Sequence, residues 1–182
     1  MKEYQVTIVG TEDLLQNAFG GKWVRRDDGS GMRPVTAEDG EEDWRRRLYV
    51  TEGNTIYQPE SHIVGALLRA AGMMRVPGRL GQSYRDILDG GLFVEPIFVP
   101  HRVTLADFDA APTFTGPAPE GFGGLVYIHR RPSPEDPGIM WLRPTLRKGW
   151  ELAFSILLID RDFPADVLRA ILDLAGCKVG LG

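Results

Sequence analysis

Basic residues occur in short clusters along this sequence, and tryptophans stand near three of the clusters. Long cationic side chains neutralise phosphates and aromatic rings stack on unpaired bases, so the combination is typical of a surface that binds single-stranded nucleic acid. The alternative is a set of solvated arginines balanced by acidic residues such as Asp27 and Asp28. The clusters and their tryptophans are Trp23, Arg25, Arg26, Trp44, Arg45, Arg46, Arg47, Arg130, Arg131, Trp141, Arg147 and Lys148.

The spacing of the histidines and of the single cysteine indicates neither a metal site nor a catalytic nucleophile. His62, His101 and His129 are far apart, and the sequence lacks a P-loop, a Gly-x-Ser-x-Gly elbow and an HExxH motif. We therefore predict no bound metal and no cofactor. Cys177 has no adjacent base, so we expect a buried structural thiol. His62 falls in the first turn of a predicted helix, where its functional interpretation is a contact to a phosphate or a base.

Composition indicates one ordinary globular domain in a reducing compartment. The chain has 182 residues, of which 43% are hydrophobic and 25% charged. A net charge of −4 argues against general coating of nucleic acid but permits a local basic groove. One cysteine fits the cytoplasm. No apolar run approaches the ~20 residues that cross a bilayer, so we predict a cytoplasmic protein without a membrane partner.

Alternation of apolar and polar residues predicts most of the strands. Residues 125–131 and 138–143 form a predicted hairpin across the turn sequence PSPEDP. The composition of residues 20–44 predicts a long flexible loop. The sequence of residues 100–124 gives only weak signals for helix or strand. The predicted strands cover residues 4–9, 55–57, 91–99, 125–131, 138–143 and 150–159.

Two amphipathic helices are predicted. The first has Ser61 as its N-cap, and Gly65 is expected to let a neighbouring backbone come close. The second begins at Asp162 and Pro164 and ends at Gly176. The apolar positions expected on the buried sides are Ile63, Val64, Leu67, Leu68 and Ala71 in the first helix, and Val167, Leu168, Ile171, Leu172 and Ala175 in the second.

The stretch TIYQPESHIVGALLR resembles the strand–turn–helix motif of the RAMP superfamily, which supplies backbone subunits of CRISPR RNA-guided effector complexes. The matching residues are Tyr57, Pro59, Ser61, Gly65, Ala66, Leu67 and Arg69. The resemblance implies an α+β fold, a ferredoxin-like or RRM-like βαββαβ antiparallel sheet with two helices and large loop insertions. It implies one domain over residues 1–182, with a flexible insertion at about 20–50 and a β-hairpin insertion at about 100–147. KVGLG resembles the start of the family's glycine-rich loop, so the final strand is expected after residue 182.

The same resemblance implies that the chain binds single-stranded RNA, with DNA as the alternative strand. It implies a guide-RNA-binding, backbone-type subunit that assembles side by side with copies of itself and other effector-type subunits, or a stand-alone phage or mobile-element relative. A hairpin thumb from residues 20–44 would fold over the strand. The expected nucleic-acid-binding residues are Ser61, His62, Arg69, Trp23, Arg25, Arg26, Arg130, Arg131, Arg147, Lys148, Gly180 and Gly182.

The resemblance leaves two further functions open. An endoribonuclease of the same fold could use His62 or His129 with Arg69, or cleave with a metal ion held by Asp27 and Asp28. A structural protein of a phage or mobile element could keep the fold and bind only protein.

Overall fold

In a computed structural model of the chain, the structure describes residues 1–18, 23–25, 32–34, 44–134 and 137–181, and for residues 23–25 and 32–34 it describes the backbone. These residues form an α+β protein. Its strands are β1 (Lys2–Val9), β2 (Leu14–Leu15), β3 (Trp23–Arg25), β4 (Met32–Pro34), β5 (Thr55–Pro59), β6 (Leu92–Glu95), β7 (Phe98–Thr104), β8 (Thr113–Thr115), β9 (Val126–Pro132), β10 (Met140–Leu146) and β11 (Glu151–Leu158). Its helices are α1 (Glu60–Met73), α2 (Arg85–Leu88), α3 (Leu105–Asp109) and α4 (Ala165–Leu174).

The chain forms two compact units, each made from separated segments. Unit 1 comprises Met1–Ile8, Tyr57–Pro100 and Glu151–Gly182, and unit 2 comprises Val9–Ile56 and His101–Trp150. Strands β5 and β7 pair with each other.

Unit 1 contains a sheet in the order β1-β11-β6, with α1 and α4 in contact with each other. The alternation predicted for residues 150–159 is confirmed by the buried side chains of β11. Burial of these side chains and of the apolar sides of α1 and α4 gives the unit its core. The core residues of these three elements are Ile63, Ala66, Leu67, Ala70, Ala71, Leu152, Phe154, Ile156, Leu158, Leu168 and Ile171.

The start of α1 differs from the sequence prediction. Ser61 is not the N-cap, because the helix begins at Glu60 with Pro59 as its N-cap and no side-chain cap. The Glu60 N–H instead donates to the Ile97 carbonyl at 2.9 Å, so the backbone of another segment replaces the cap. Gly65 is exposed, and a Cβ built there would have no heavy atom of another described segment within 4 Å. The close approach predicted at Gly65 is therefore wrong for the described part of the chain.

The end of the second helix also differs. Gly176 does not end it, because a π-helical turn, Ala175–Val179, continues from α4 until Gly180, whose φ of 74° suits glycine. Cys177 is exposed within this turn, so the prediction of a buried thiol is wrong. Among the residues of the turn only Ala175 is buried.

Unit 2 contains a sheet in the order β2-β10-β9-β8 and a separate antiparallel pair, β3 and β4. Strands β9 and β10 pair antiparallel from Met140 opposite Pro132 to Leu146 opposite Val126, which confirms the predicted hairpin. Residues 100–124, for which the sequence gives weak structural signals, form the end of β7, the helix α3 and the strand β8. Strand β8 pairs parallel with β9. A capping box between Thr104 and Asp107 begins α3.

A clamp of backbone contacts holds two distant segments of unit 2 together. The Gly10 N–H donates to the Trp150 carbonyl at 2.8 Å, and the Gly149 N–H donates to the Gly10 carbonyl at 2.7 Å. The indole Nε1 of Trp150 donates to the Glu12 carbonyl at 2.9 Å. The indole covers Gly10 so closely that a Cβ there would lie 2.0 Å from its Cε2.

No helix within the described residues is both long enough and apolar enough to span a membrane.

A buried histidine lies beside this clamp in unit 2. His101 is 4% exposed, and neither ring nitrogen has a hydrogen-bond partner among the described residues. Its ring stands edge-on to Trp150, with the centroids 6.2 Å apart. Burial lowers the pKa of His101 from 6.5 to about 4.

We expect the burial of His101 to make the free energy of unfolding depend on pH. The unfolded chain takes up a proton near pH 6.5, whereas burial opposes protonation in the folded chain until about pH 4. Stability is therefore complete above pH 6.5 and falls by about 3 kcal/mol as the pH drops through this window. Urea unfolding of the wild type and of His101→Phe at about pH 7.5 and about pH 4.5 measures the effect. Parallel losses in both proteins would contradict it.

Candidate nucleic-acid interface

The pairing of β9 with its neighbours fixes which side chains share a face. Trp141 lies opposite Arg131, and Arg143 lies opposite His129, which also faces Phe114 of β8. Directly opposed residues project to the same side of a sheet. We call this side the cationic face; it carries Phe114, Tyr127, His129, Arg131, Trp141, Arg143 and Thr145. The other side is the core face, where the side chains of Val126, Ile128, Leu142 and Leu146 are buried.

Three guanidinium groups surround the indole of Trp141. The Cζ atoms of Arg47 and Arg131 lie 5.4 Å from the ring centroid, and that of Arg143 lies 4.8 Å from it. Cation–π attraction of about 0.5–2 kcal/mol each helps to hold them there. We call these four residues the arginine–tryptophan cluster.

The arginine–tryptophan cluster concentrates positive charge at one end of the cationic face. Guanidinium groups brought to one ring repel each other and raise the local potential. The Nε atom of Arg131 is buried and has no hydrogen-bond partner among the described residues, so it lacks an acceptor. A phosphate would supply the negative charge that complements these guanidinium groups, since guanidinium matches phosphate geometry.

Aromatic rings adjoin these charges. Phe114 packs against Phe122 with the ring centroids 5.2 Å apart, and against Tyr127 at 5.8 Å. Phe114 and Phe122 are half-buried, whereas Tyr127 is 2% exposed. The Cζ of Arg147 lies 5.6 Å from the centroid of Phe122. We call Phe114, Phe122 and Tyr127 the aromatic cluster; its partly exposed rings offer surfaces on which bases can stack.

His129 lies between the aromatic cluster and the arginine–tryptophan cluster. Its ring centroid is 6.4 Å from that of Tyr127. The residue opposite His129 on β10 is Arg143. Burial lowers the pKa of His129, and the charges of Arg131 and Arg143 lower it further against a smaller opposing effect of Asp13. His129 is therefore an uncharged imidazole at neutral pH.

Asp13 fixes the end of this sheet near β2. Its Oδ2 accepts a hydrogen bond from the Tyr127 hydroxyl at 2.9 Å, and its Oδ1 accepts one from the Lys148 N–H at 2.8 Å. Burial and this carboxylate together raise the pKa of Tyr127 to about 12. Asp13 thereby joins the segment before β2 to β9 and to the residues after β10.

The predicted site residues of unit 2 take different roles. Arg131 belongs to the arginine–tryptophan cluster and Arg147 contacts the aromatic cluster. Arg130, next to Arg131 on β9, projects to the core face because strand residues alternate. The Lys148 side chain is exposed. Trp23 and Arg25 lie in β3, for which the backbone is described.

The predicted site residues of unit 1 lie on α1 and at its C-terminal turn. Ser61 and His62 are in the first turn of α1, and Arg69 is exposed two turns later. Gln58 Nε2 donates to His62 Nδ1 at 2.6 Å, and burial lowers the pKa of His62. Gly180 follows the π-helical turn.

Arg26 and Gly182, and the metal candidates Asp27 and Asp28, lie outside the described residues. Within the described part of the chain, no group of three or more histidine, cysteine, aspartate or glutamate side chains is placed to hold a metal ion.

Arg45 illustrates the alternative interpretation of the basic clusters. Its guanidinium forms an exposed salt bridge of 2.6 Å with Asp109 and stacks on Trp44 at 4.5 Å. The adjacent Arg47 is 5% exposed and reaches Trp141 instead. One basic triplet therefore contains both a balanced surface arginine and a member of the arginine–tryptophan cluster.

Sequence reasoning did not select Phe114, Phe122 and Arg143 as site residues. Arg143 could have been found by pairing the predicted strands 125–131 and 138–143 and listing the residues that share a face with Arg131. Phe114 and Phe122 lie in the segment with weak structural signals, so no pattern identified them.

A comparison of the chain with protein-family models finds no match, and neither does a comparison with curated proteins.

We expect Asp13→Asn to lower the free energy of unfolding by about 2 kcal/mol, because the two carboxylate oxygens that accept from Tyr127 and Lys148 are replaced by one amide oxygen and one NH2 group that cannot accept. It should also lower the pKa of Tyr127 from about 12. Urea unfolding and ultraviolet titration measure the two effects. Glu12→Gln is the matched control, since residue 12 contributes its backbone carbonyl. Equal effects of the two variants would contradict the role given to the Asp13 side chain.

Proposed function

We propose that this chain binds single-stranded nucleic acid through the cationic face of unit 2, as an RNA-binding, backbone-type subunit of the RAMP kind. The observation that carries the proposal is the arginine–tryptophan cluster, in which the guanidinium groups of Arg47, Arg131 and Arg143 converge on Trp141. The guanidinium groups of the half-buried Arg131 and Arg143 complement a phosphate, and the adjoining half-buried rings of Phe114 and Phe122 complement bases. Arg47 is buried and its Nη1 donates to Asn17 Oδ1, so it contributes charge to the cluster rather than a direct contact.

Single-stranded nucleic acid fits this surface better than a duplex. Stacking on protein side chains requires a base whose face is free, which a duplex does not offer. The aromatic cluster and the arginine–tryptophan cluster occupy neighbouring strands of one sheet. This arrangement suits a backbone that follows the arginines while its bases turn towards the aromatic rings.

Unit 1 supports the ferredoxin-like part of the proposal. The three strands of its sheet and its two longer helices follow in the order β1, α1, β6, β11 and α4, and β11 lies between β1 and β6 in the sheet. A strand inserted between two strands that a helix connects is the split β–α–β arrangement of ferredoxin-like folds. We include this fold in the proposal, together with the single RAMP-like domain that the sequence predicts.

The pair of β3 and β4 supports a thumb. These strands pair antiparallel, with Trp23 opposite Pro34 and Arg25 opposite Met32, within the segment where the resembled family has its hairpin. The predicted flexible loop thus contains a strand pair. Side-by-side assembly with copies of itself and with other subunits, and the cytoplasmic location, remain expectations from the resemblance and the composition.

The test is binding of a labelled oligonucleotide of about twelve nucleotides, followed by fluorescence anisotropy at several salt concentrations. We expect Arg131→Gln combined with Arg143→Gln to weaken binding at least tenfold. The variant should also reduce the slope of log affinity against log salt by about 1.4, because each lost phosphate contact removes about 0.7 from the slope for single strands.

Arg45→Gln is the matched control for this experiment. It removes one positive charge from unit 2, but that charge is already balanced by Asp109. The control should bind like the wild type, and thermal unfolding checks that all variants fold. Equal weakening by the control and the double variant would contradict a specific site. Absence of binding by the wild type would favour the protein-binding alternative.

The endoribonuclease alternative can be separated in the same samples. His129 shares the cationic face with Arg131 and Arg143, so an imidazole and guanidinium groups are available together. The binding proposal predicts that labelled RNA is recovered intact after prolonged incubation without added metal. Cleavage that disappears in His129→Ala would show that the face is an active site.

A further inference from the structure

We propose that His129 distinguishes RNA from DNA by hydrogen bonding to the 2′-hydroxyl of a ribose bound across β8, β9 and β10. This inference rests on the proposed binding of a nucleic-acid strand to the cationic face and identifies the chemical group that the face selects.

The register of the sheet places three kinds of side chain in one row. Phe114 lies opposite His129, and His129 lies opposite Arg143. Neighbouring strands are about 4.8 Å apart, so the row extends about 10 Å from an aromatic ring through an imidazole to a guanidinium. A nucleotide presents its base, ribose and phosphate in the same order over a comparable distance.

The surroundings of His129 repeat this order along β9. Tyr127 of the aromatic cluster precedes it on the same face, and Arg131 of the arginine–tryptophan cluster follows it. With a base on the rings of Phe114 and Phe122 and a phosphate at Arg143 and Arg131, the sugar falls at His129. The ribose 2′-hydroxyl is the group by which a protein tells RNA from DNA at such a position.

The chemistry of His129 suits a hydroxyl better than a phosphate or a base. Burial and the charges of Arg131 and Arg143 lower its pKa, so the ring is neutral at pH 7. A neutral imidazole has one N–H donor and one acceptor nitrogen, and a hydroxyl likewise donates and accepts. A phosphate has only acceptors and is better served by the neighbouring arginines.

The experiment compares the affinities of the wild type for an oligoadenylate RNA, for the same DNA sequence and for the 2′-fluoro RNA. The fluoro sugar keeps a ribose-like pucker but lacks the hydroxyl donor. We expect RNA to bind five- to tenfold more tightly than DNA, as one hydrogen bond provides, and the 2′-fluoro strand to bind like DNA.

The matching protein change is His129→Phe, which keeps a planar ring and removes both hydrogen-bonding nitrogens. We expect its preference for RNA over DNA to disappear, because RNA loses the hydrogen bond that DNA does not make. His129→Gln, which restores a donor and an acceptor, should recover part of the preference for RNA. Thermal unfolding confirms that the variants fold, and the 2′-fluoro strand tests the contact without changing the protein.

The outcomes separate the two proposals. If the wild type binds RNA, DNA and the 2′-fluoro strand equally, or if His129→Phe loses RNA and DNA affinity to the same extent, the role of His129 is wrong and binding to the cationic face stands. If the wild type binds none of the strands, the proposed function itself is wrong, and the inference with it.

Discussion

The register between β9 and β10 is the constraint on which the candidate site depends. It sets Trp141 opposite Arg131 and Arg143 opposite His129, while Leu142 and Leu146 enter the core. Because side chains alternate along a strand, a shift of one residue would bury the charged groups and expose the apolar ones. The hydrophobic requirement on one face therefore fixes the positions of the binding groups on the other, and the core specifies the site.

Cation–π contacts help to hold guanidinium groups on the cationic face. The guanidinium groups of Arg131 and Arg143 lie over Trp141, which attracts cations through its ring electrons and, unlike a carboxylate, carries no compensating charge. Arg45 shows the contrasting case, because the carboxylate of Asp109 balances its charge. A surface arginine with an acidic partner adds little to a phosphate-binding potential, so the chain's overall charge of −4 is compatible with a positive sheet face.

Local patterns predicted the elements better than they predicted the site. Alternation gave β11 and the β9–β10 hairpin, because each strand's face is set by its own residues. The choice between Arg130 and Arg131 depends on which face is buried, which only the assembled sheet decides. Arg47 contacts Trp141, which is far away in the sequence. At the start of α1, the Glu60 N–H donates to the distant Ile97 carbonyl, and Ser61 is not the N-cap. Such long-range contacts leave no mark in a local window.

The packing of Trp150 on Gly10 has an evolutionary consequence. The indole occupies the space that any side chain at position 10 would need, so neither residue can be replaced freely while the other stays. Homologues should therefore vary at these two positions in concert: a glycine wherever the large ring is kept, and a smaller residue at 150 wherever position 10 acquires a side chain. That covariation would mark distant relatives even after the rest of the sequence has diverged beyond detection.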